Sequence, residues 1–292
     1  MKIAIASGKG GTGKTTVAVN LYHMLAQKLN NNVQLVDCDV EEPNDMLFFK
    51  DAPLRTQTQA HLLVPEIDTT KCTFCKKCSE WCAFNAISIV KNLQFAEVNK
   101  DLCHSCGACS MACNFDAIVE KPEALGTISE YTTSFGAGII EGRLEVGSAM
   151  QTALIKKVKQ YADPAHNLVL FDAPPGTSCP VVETLSDADF IVLVTEPTPF
   201  GLYDLQLTVD LIKELEIPFG VIVNKAGLGN DATYRYLEEN QIELLGNIPF
   251  SRNYASLYAK GELIENISTD TNEYYRETVE KLFRIMPQTI HS

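Results

Sequence analysis

The sequence has 292 residues, enough for one large α/β domain or for two domains. Hydrophobic residues make up 46% and charged residues 21%, as in ordinary globular proteins, and no apolar run reaches the roughly 18 residues of a membrane-spanning helix. The net charge of −13 disfavours binding to nucleic acid, whose phosphates are also negative. The apolar stretch at the start is too short for a signal peptide, so we expect a cytoplasmic protein with neither nucleic acid nor membrane as a partner.

The first predicted strand, KIAIAS from Lys2, leads into a glycine-rich loop and then a helix over about residues 14–29. The loop, GKGGTGKTT at residues 8–16, matches two phosphate-binding patterns. G-x-x-x-x-G-K-[ST] is the P-loop of nucleotide triphosphatases, and G-x-G-x-x-G is typical of dinucleotide-binding proteins. The second predicted strand, VQLVD, is followed by Asp39, and Asp37 and Asp39 stand where a dinucleotide-binding fold also has an acidic residue.

Three features favour the P-loop. Lys14 and the hydroxyls of Thr15 and Thr16 have no role in a dinucleotide site, whereas a lysine neutralises the β- and γ-phosphates of a triphosphate and the Thr15 hydroxyl can bind Mg²⁺. The apolar run NLVLF predicts a strand that ends in Asp172, the Walker B arrangement for orienting Mg²⁺. Lys9 adds a second lysine inside the loop. The loop is therefore interpreted as a triphosphate site.

Eight of the ten cysteines lie between residues 72 and 113, in a repeat with an offset of 31 residues. Each copy reads C-x2-C-x2-C-x3-C, the spacing that binds [4Fe–4S] clusters in bacterial two-cluster ferredoxins, where the fourth cysteine serves the other cluster. Structural zinc sites, the alternative, favour paired CxxC motifs at wider separation. The resemblance to ferredoxins assigns one cluster to Cys72, Cys75, Cys78 and Cys113, and the other to Cys103, Cys106, Cys109 and Cys82. Ala83 and Asn114 replace the proline that usually follows the fourth cysteine.

The flanks of this repeat predict one divided domain. The apolar runs NLVLFD, FIVLVT and FGVIVN are typical of buried parallel strands, with helical patterns between them. Pro65 and Pro122 are interpreted as breaks between domains. The predicted fold is therefore α/β, with a doubly wound, mostly parallel sheet formed by residues 1–64 and 124–292, and an inserted α+β ferredoxin-like domain at residues 65–123.

The loop with Lys9 resembles the deviant Walker A motif of the MinD/ParA group of P-loop ATPases, which includes the nitrogenase iron protein and Mrp-type iron–sulfur carriers. The resemblance extends to VDCD, DAPPG from Asp172, TEPTPFGLYDL from Thr195, NK at residues 224 and 225, and GNIPF at residues 246–250. With the cysteine repeat, the chain resembles MinD-superfamily ATPases that carry a two-cluster ferredoxin domain.

This resemblance implies the site residues. Lys9 would reach the partner's nucleotide across a homodimer, Asp39 would position the attacking water, and Lys14 would contact the phosphates. The Mg²⁺ ligands would be Thr15, Asp39 and Asp172. The nucleotide-binding residues would be Gly8, Lys9, Gly10, Gly11, Thr12, Gly13, Lys14, Thr15, Thr16, Asn224 and Pro249.

The predicted function is an ATPase, slow without a partner, in which nucleotide-dependent dimerisation is coupled to electron transfer through two [4Fe–4S] clusters. Its cofactors would be these clusters, ATP or ADP, and Mg²⁺, and its partner an unidentified redox protein. The alternative is an ATP-dependent factor that assembles or delivers metalloclusters to a client protein. A positioning ATPase with clusters as redox sensor is a third possibility. Absence of a CxxC pair outside the repeat disfavours a simple carrier, and Cys179 is considered as a ligand of a cluster shared across a dimer.

A last predicted helix, residues 274–286, places Tyr275, Val279, Leu282, Phe283 and Met286 on one face. Because the helix is not strongly basic, we expect this face to pack on the sheet rather than on a membrane.

Overall fold

The computed structural model describes residues 1–264 and 266–285. The strands in these ranges are β1 (Lys2–Ala6), β2 (Val33–Asp37), β3 (Leu54–Ile67), β4 (Ile87–Val90), β5 (Phe95–Val98), β6 (Ile118–Thr132), β7 (Gly138–Leu144), β8 (Leu168–Asp172), β9 (Phe190–Thr195), β10 (Phe219–Ala226) and β11 (Leu244–Pro249). The helices are α1 (Lys14–Lys28), α2 (Lys77–Glu80), α3 (Ala108–Ala112), α4 (Gln151–Lys159), α5 (Cys179–Leu185), α6 (Pro199–Leu215), α7 (Ala232–Glu239), α8 (Arg252–Lys260) and α9 (Thr269–Ile285).

Within the described residues, the large sheet has nine strands in the order β11-β10-β9-β1-β8-β2-β7-β6-β3. β1 is parallel to β8 and β9, β2 is parallel to β8 and β7, and β10 is parallel to β9 and β11. Asp37 and Asp172 are register partners at the ends of β2 and β8. The predicted α/β class with a mostly parallel sheet is confirmed, and its carboxyl edge, where such folds bind ligands, carries both aspartates.

The strands predicted from short apolar runs are confirmed as β1, β2, β8, β9 and β10. β2, β8 and β9 are buried along their whole length and β1 and β10 along most of it, as expected for parallel strands covered on both faces. Pro65 and Pro122 lie inside β3 and β6, so neither proline breaks an element. β3 is the edge strand of the sheet, where a residue without an N–H is tolerated. The domain boundaries at residues 65 and 123 stay a prediction.

The main hydrophobic core lies between the sheet and α1 with α9. Ile3, Ile5, Leu35 and Leu170 contribute from the sheet and are fully buried. On α9, Tyr275, Val279 and Leu282 are buried in this core and Phe283 packs against it, which confirms the predicted packing face for these residues. Met286 lies outside the described residues. In the two described ranges, no helix combines the length and apolar character needed to cross a membrane.

The chain divides into two compact units. The first consists of Met1–Gln57, Ile128–Arg143 and the described residues from Ile155 onward, and the second of Thr58–Thr127 and Leu144–Leu154. All eight clustered cysteines belong to the second unit. That unit also contains the antiparallel pair β4 and β5, in which Ile87 lies opposite Val98.

Candidate nucleotide site and cysteine motifs

At the start of α1, after the glycine-rich loop, a lysine and a threonine hydroxyl both contact the carboxylate of Asp172. Lys14, the first residue of α1, has its Nζ 2.7 Å from Asp172 Oδ1. Thr15 Oγ1 donates to Asp172 Oδ2 at 2.9 Å. Burial by itself lowers the pKa of Lys14, but the charge of Asp172, helped by Asp39 and Asp37, outweighs it and the pKa is raised. Lys14 therefore carries its positive charge at the start of α1, where anions are already favoured.

Gly13 has a conformation and a neighbour that only glycine permits. Its φ is +93°, in the left-handed region. A Cβ at this position would lie 2.1 Å from Asn224 Nδ2, which donates to the carbonyl oxygen of Thr12 at 2.8 Å. The loop is thus held by a side chain from β10 that fits only against glycine.

Gly13→Ala is expected to lower the free energy of unfolding by about 2–4 kcal/mol, because it combines backbone strain with loss of the Asn224 hydrogen bond. Gly10→Ala is the matched control, since a Cβ there meets no atom within 4 Å. Urea unfolding without nucleotide measures both. Equal losses in the two variants would contradict this account of Gly13.

Three buried carboxylates lie at the ends of β2 and β8. Oxygens of Asp37, Asp45 and Asp172 lie within 4.8 Å of one another. Asp37 accepts hydrogen bonds from the backbone N–H groups of Asn44 and Asp45 at 2.9 and 3.2 Å. Neither carboxylate oxygen of Asp45 has a hydrogen-bond partner among the described residues. Burial, and then the charge of neighbouring carboxylates, raises the pKa of Asp37 and of Asp45.

Lys9 is tied to its own chain by Glu196. Lys9 Nζ lies 2.9 Å from Glu196 Oε1, and Lys225 Nζ lies 2.9 Å from Oε2. Lys225 also donates to the carbonyl oxygen of Gly11 at 2.6 Å. Burial would raise the pKa of Glu196, but the bonds from Lys225 and Lys9 outweigh it and the pKa is lowered. The carboxylate therefore stays charged and positions both lysines at the loop.

The glycine-rich loop, with Lys14 and Lys225, lines a cavity of about 380 Å³, a size typical of small-molecule sites. Among the residues predicted to bind nucleotide or Mg²⁺, those that line it are Lys9, Gly10, Gly11, Thr12, Gly13, Lys14, Thr15, Thr16, Asp39, Asn224 and Pro249. Burial raises the pKa of Asp39 to about 6, so its carboxylate is mostly ionised at pH 7.5. Gly8 does not line the cavity: a Cβ there would lie 2.4 Å from the carbonyl oxygen of Asp204 in α6, so glycine serves close packing.

In the second unit, the cysteines separate into two groups of four. Cys72, Cys75, Cys78 and Cys113 line one small cavity, and Cys82, Cys103, Cys106 and Cys109 line another. One backbone N–H in each group points at a sulfur: Phe74 donates to Cys72 Sγ at 3.4 Å and Ala86 to Cys82 Sγ at 3.3 Å. Four thiols in a cavity with N–H groups directed at sulfur are the donor set that iron–sulfur clusters require. The residues present therefore fit the predicted clusters.

The comparisons with known proteins decide the family. The family model of the CobQ/CobB/MinD/ParA nucleotide-binding domain, named CbiA, matches residues 3–264. The chain belongs to this family. The match confirms the predicted relation to the MinD/ParA group and favours the P-loop interpretation of the loop over the dinucleotide one.

Two relatives and one solved structure illustrate the similarity. The chain is 31% identical to an uncharacterised protein of Methanocaldococcus jannaschii over 283 residues, covering 97% of this chain and 96% of that one. It is 22% identical to the iron–sulfur cluster carrier protein of Pyrococcus abyssi over 266 residues, covering 85% and 73%. The cell division ATPase MinD of Pyrococcus furiosus superposes with a TM-score of 0.61 at 18% identity, covering 97% and 98%. That last likeness concerns the fold alone.

Sequence reasoning missed Asp45 and assigned no role to Glu196 or Lys225. Asp45 lies outside every motif, and nothing in the local sequence indicates that its carboxylate is buried. Glu196 and Lys225 lie within quoted family motifs, TEPTPFGLYDL and NK, so a search for charged residues directly after the apolar runs FIVLVT and FGVIVN would have found both.

Proposed function

We propose that this family member is a slow ATPase that forms a homodimer around ATP and uses the nucleotide state to gate electron transfer through two [4Fe–4S] clusters. The observation that carries the proposal is the separation of eight cysteines into two groups of four, each lining its own cavity, in a chain that also has a P-loop site. When bound, such clusters accept and release single electrons.

The first cluster would be held by Cys72, Cys75, Cys78 and Cys113, and the second by Cys82, Cys103, Cys106 and Cys109. Clusters whose four irons all have a thiolate ligand from the protein are retained as permanent cofactors more readily than clusters with open coordination sites. An electron-transfer role therefore suits this arrangement better than cargo does.

At the nucleotide site, the backbone N–H groups of residues 10–15 would hold the phosphates at the start of α1. Lys14 would neutralise β- and γ-phosphate charge, and Thr15, Asp39 and Asp172 would hold Mg²⁺ directly or through water. The ionised Asp39 would also orient the attacking water. Asn224 and Pro249 would contact the base.

Lys9 would act on the nucleotide of the partner subunit. To do so it must leave Glu196, whose carboxylate Lys225 still neutralises from the other side. Dimer formation would then exchange one ion pair of Lys9 for another with phosphate. The clusters would respond to this closure through movement of the segments that follow Asp39.

Lys9→Ala is expected to lower ATP turnover by about 100-fold or more, with ATP binding changed little, because a cation that stabilises transition-state charge is lost. Asp39→Asn should also be inactive. Mixing the two variants tests the dimer: a mixed dimer has one complete site, so turnover should recover to about a quarter of the native rate in a random mixture. A mixture as inactive as its parts would overturn action across subunits.

Delivery of metalloclusters is a second candidate, because the Pyrococcus abyssi relative is named an iron–sulfur cluster carrier protein. The two functions differ in what ATP does to the clusters. In delivery, ATP promotes release of a cluster; in electron transfer, the clusters stay and the transfer rate changes.

One experiment separates them. The full chain is reconstituted anaerobically, assayed for about eight iron atoms and for zinc, and exposed to an iron chelator with and without Mg-ATP while absorbance and EPR are followed. Clusters retained in both conditions, with reduction of an artificial acceptor dependent on nucleotide, support the proposal. Release only with Mg-ATP supports delivery, and transfer at a nucleotide-independent rate sinks the gating mechanism.

A further inference from the structure

The two cysteine motifs have the same backbone but different charges. Left-handed residues recur at matching positions: Phe74 with Ser105 at φ 54° and 52°, and Asn85 with Asp116 at 52° and 48°. α2 and α3 begin at corresponding residues, 77 and 108. Because the backbones correspond, side chains 31 residues apart in sequence can be compared directly.

The first motif is basic where the second is neutral. Lys76 and Lys77 stand at the positions of Gly107 and Ala108, and Lys77 lines the first cavity while Gly107 and Ala108 line the second. Lys76 has a φ of 68°, against 71° for Gly107. A lysine in this left-handed conformation costs conformational free energy that glycine avoids, which points to a reason for keeping the charge there.

The second motif is acidic where the first is apolar. Glu120 Oε1 accepts a hydrogen bond from Ser110 on α3 at 2.8 Å and lies 3.5 Å from the Cβ position of Gly107. The residue that matches Glu120 is Ile89, which lines the first cavity. No carboxylate of the described residues lines either cavity, but Glu80 and Asp116 near the first motif are exposed, whereas Glu120 is half-buried and bonded to α3.

The second cavity also has a larger aromatic cover. Phe84 and His104 both line it, and their rings are stacked with centroids 3.8 Å apart at 14°. The matching pair at the first cavity is Phe115 with Thr73, which offers no second ring. The second group is also the more buried one, since Cys103 is buried where the matching Cys72 is half-buried.

We propose that the two clusters differ in reduction potential, and that the cluster held by Cys72, Cys75, Cys78 and Cys113 has the higher one. Adding an electron makes a thiolate-ligated cluster more negative, so nearby lysines favour reduction, and a carboxylate and exclusion of water disfavour it. One electron passes from the second cluster to the first, so the second cluster is oxidised and the first is reduced. Lys76 and Lys77 thereby set the direction of transfer inside the chain. The inference rests on the proposed clusters but not on ATP gating.

The test exchanges residues between the motifs in the full-length, reconstituted protein. Redox potentiometry with EPR detection, without nucleotide, is applied to the native chain, to K76G/K77A and to the control Lys91→Ala, an exposed lysine on the same unit. The native chain should titrate in two one-electron steps. K76G/K77A should lower only the upper potential, by about 59 mV. This corresponds to a roughly tenfold change in the equilibrium constant for electron transfer between the clusters. The glycine suits the left-handed position, so folding is preserved.

The reciprocal variant G107K/A108K should raise only the lower potential. A native chain that titrates in a single step, a K76G/K77A variant that shifts the lower step or neither, or an equal shift in Lys91→Ala would each overturn the inference while leaving the proposed function standing. A chain that binds no iron on reconstitution would overturn the proposed function itself.

Discussion

Replacing Lys14 with methionine is expected to abolish ATP binding and to lower the free energy of unfolding by about 3–5 kcal/mol, the cost of removing one partner of a buried ion pair. The side chains of Lys14 and Asp172 are 7% and 1% exposed. Without the ammonium, the Thr15 hydroxyl is the one hydrogen-bond partner that the Asp172 carboxylate keeps among the described side chains, and this carboxylate stays buried beside the carboxyl groups of Asp37 and Asp45. Urea unfolding at pH 8, without nucleotide, measures the loss.

The control uses an ion pair of similar length at the surface. Lys2 Nζ lies 2.6 Å from Asp187 Oδ2, with both side chains more than 40% exposed, so Lys2→Met should cost no more than about 1 kcal/mol. The double variant Lys14→Met, Asp172→Asn should recover much of the lost stability, because it leaves no unpaired charge at that position. A single Lys14→Met variant as stable as the Lys2→Met control would show that Lys14 does not compensate the buried carboxylates.

The strands that the sequence predicted correctly are those that burial makes apolar throughout. FIVLVT became β9 with every residue buried, because a parallel strand covered on both faces has little choice of side chain. The missed strand β3 begins with LRTQTQ, which is exposed, and contains a proline. Neither periodicity nor propensity distinguishes such an edge strand from a loop.

The candidate site also contains some residues that the sequence predicts and others that it does not. Lys14 and Asp172 were each predicted as site residues because they stand in recognisable motifs, and the structure brings their side chains to 2.7 Å from each other. Asp45 joins them only because the chain after Asp37 folds back, with the N–H groups of Asn44 and Asp45 bonded to the Asp37 carboxylate. That return is a tertiary feature without a local signal, so the third carboxylate was not predictable.

Asp45→Asn is expected to stabilise the protein by about 1–3 kcal/mol at pH 8, because the buried Asp45 carboxyl, which has no hydrogen-bond partner among the described residues, must either carry an uncompensated charge or hold a proton at that pH. The direction in which the free energy of unfolding changes with pH follows from the raised pKa of Asp45. A folded-state pKa above the unfolded value of about 3.9 means that the protonated carboxyl stabilises the fold at low pH, and that this contribution is lost as the pH rises toward the folded pKa.

The gain from Asp45→Asn should therefore be small near pH 4 and should grow as the pH rises to 8, since asparagine stays neutral throughout. Unfolding in urea at several pH values between these limits gives the curve for each protein, and Asp51→Asn, at an exposed aspartate, gives the control curve, which should follow the native one. A native chain more stable than Asp45→Asn at pH 8 would mean that the Asp45 carboxylate is compensated in its charged form. The comparison thus measures how far Asp45, in the carboxylate cluster beside the P-loop, lowers the free energy of unfolding. Such a loss of stability is expected at a site whose residues are arranged to bind cations and phosphate.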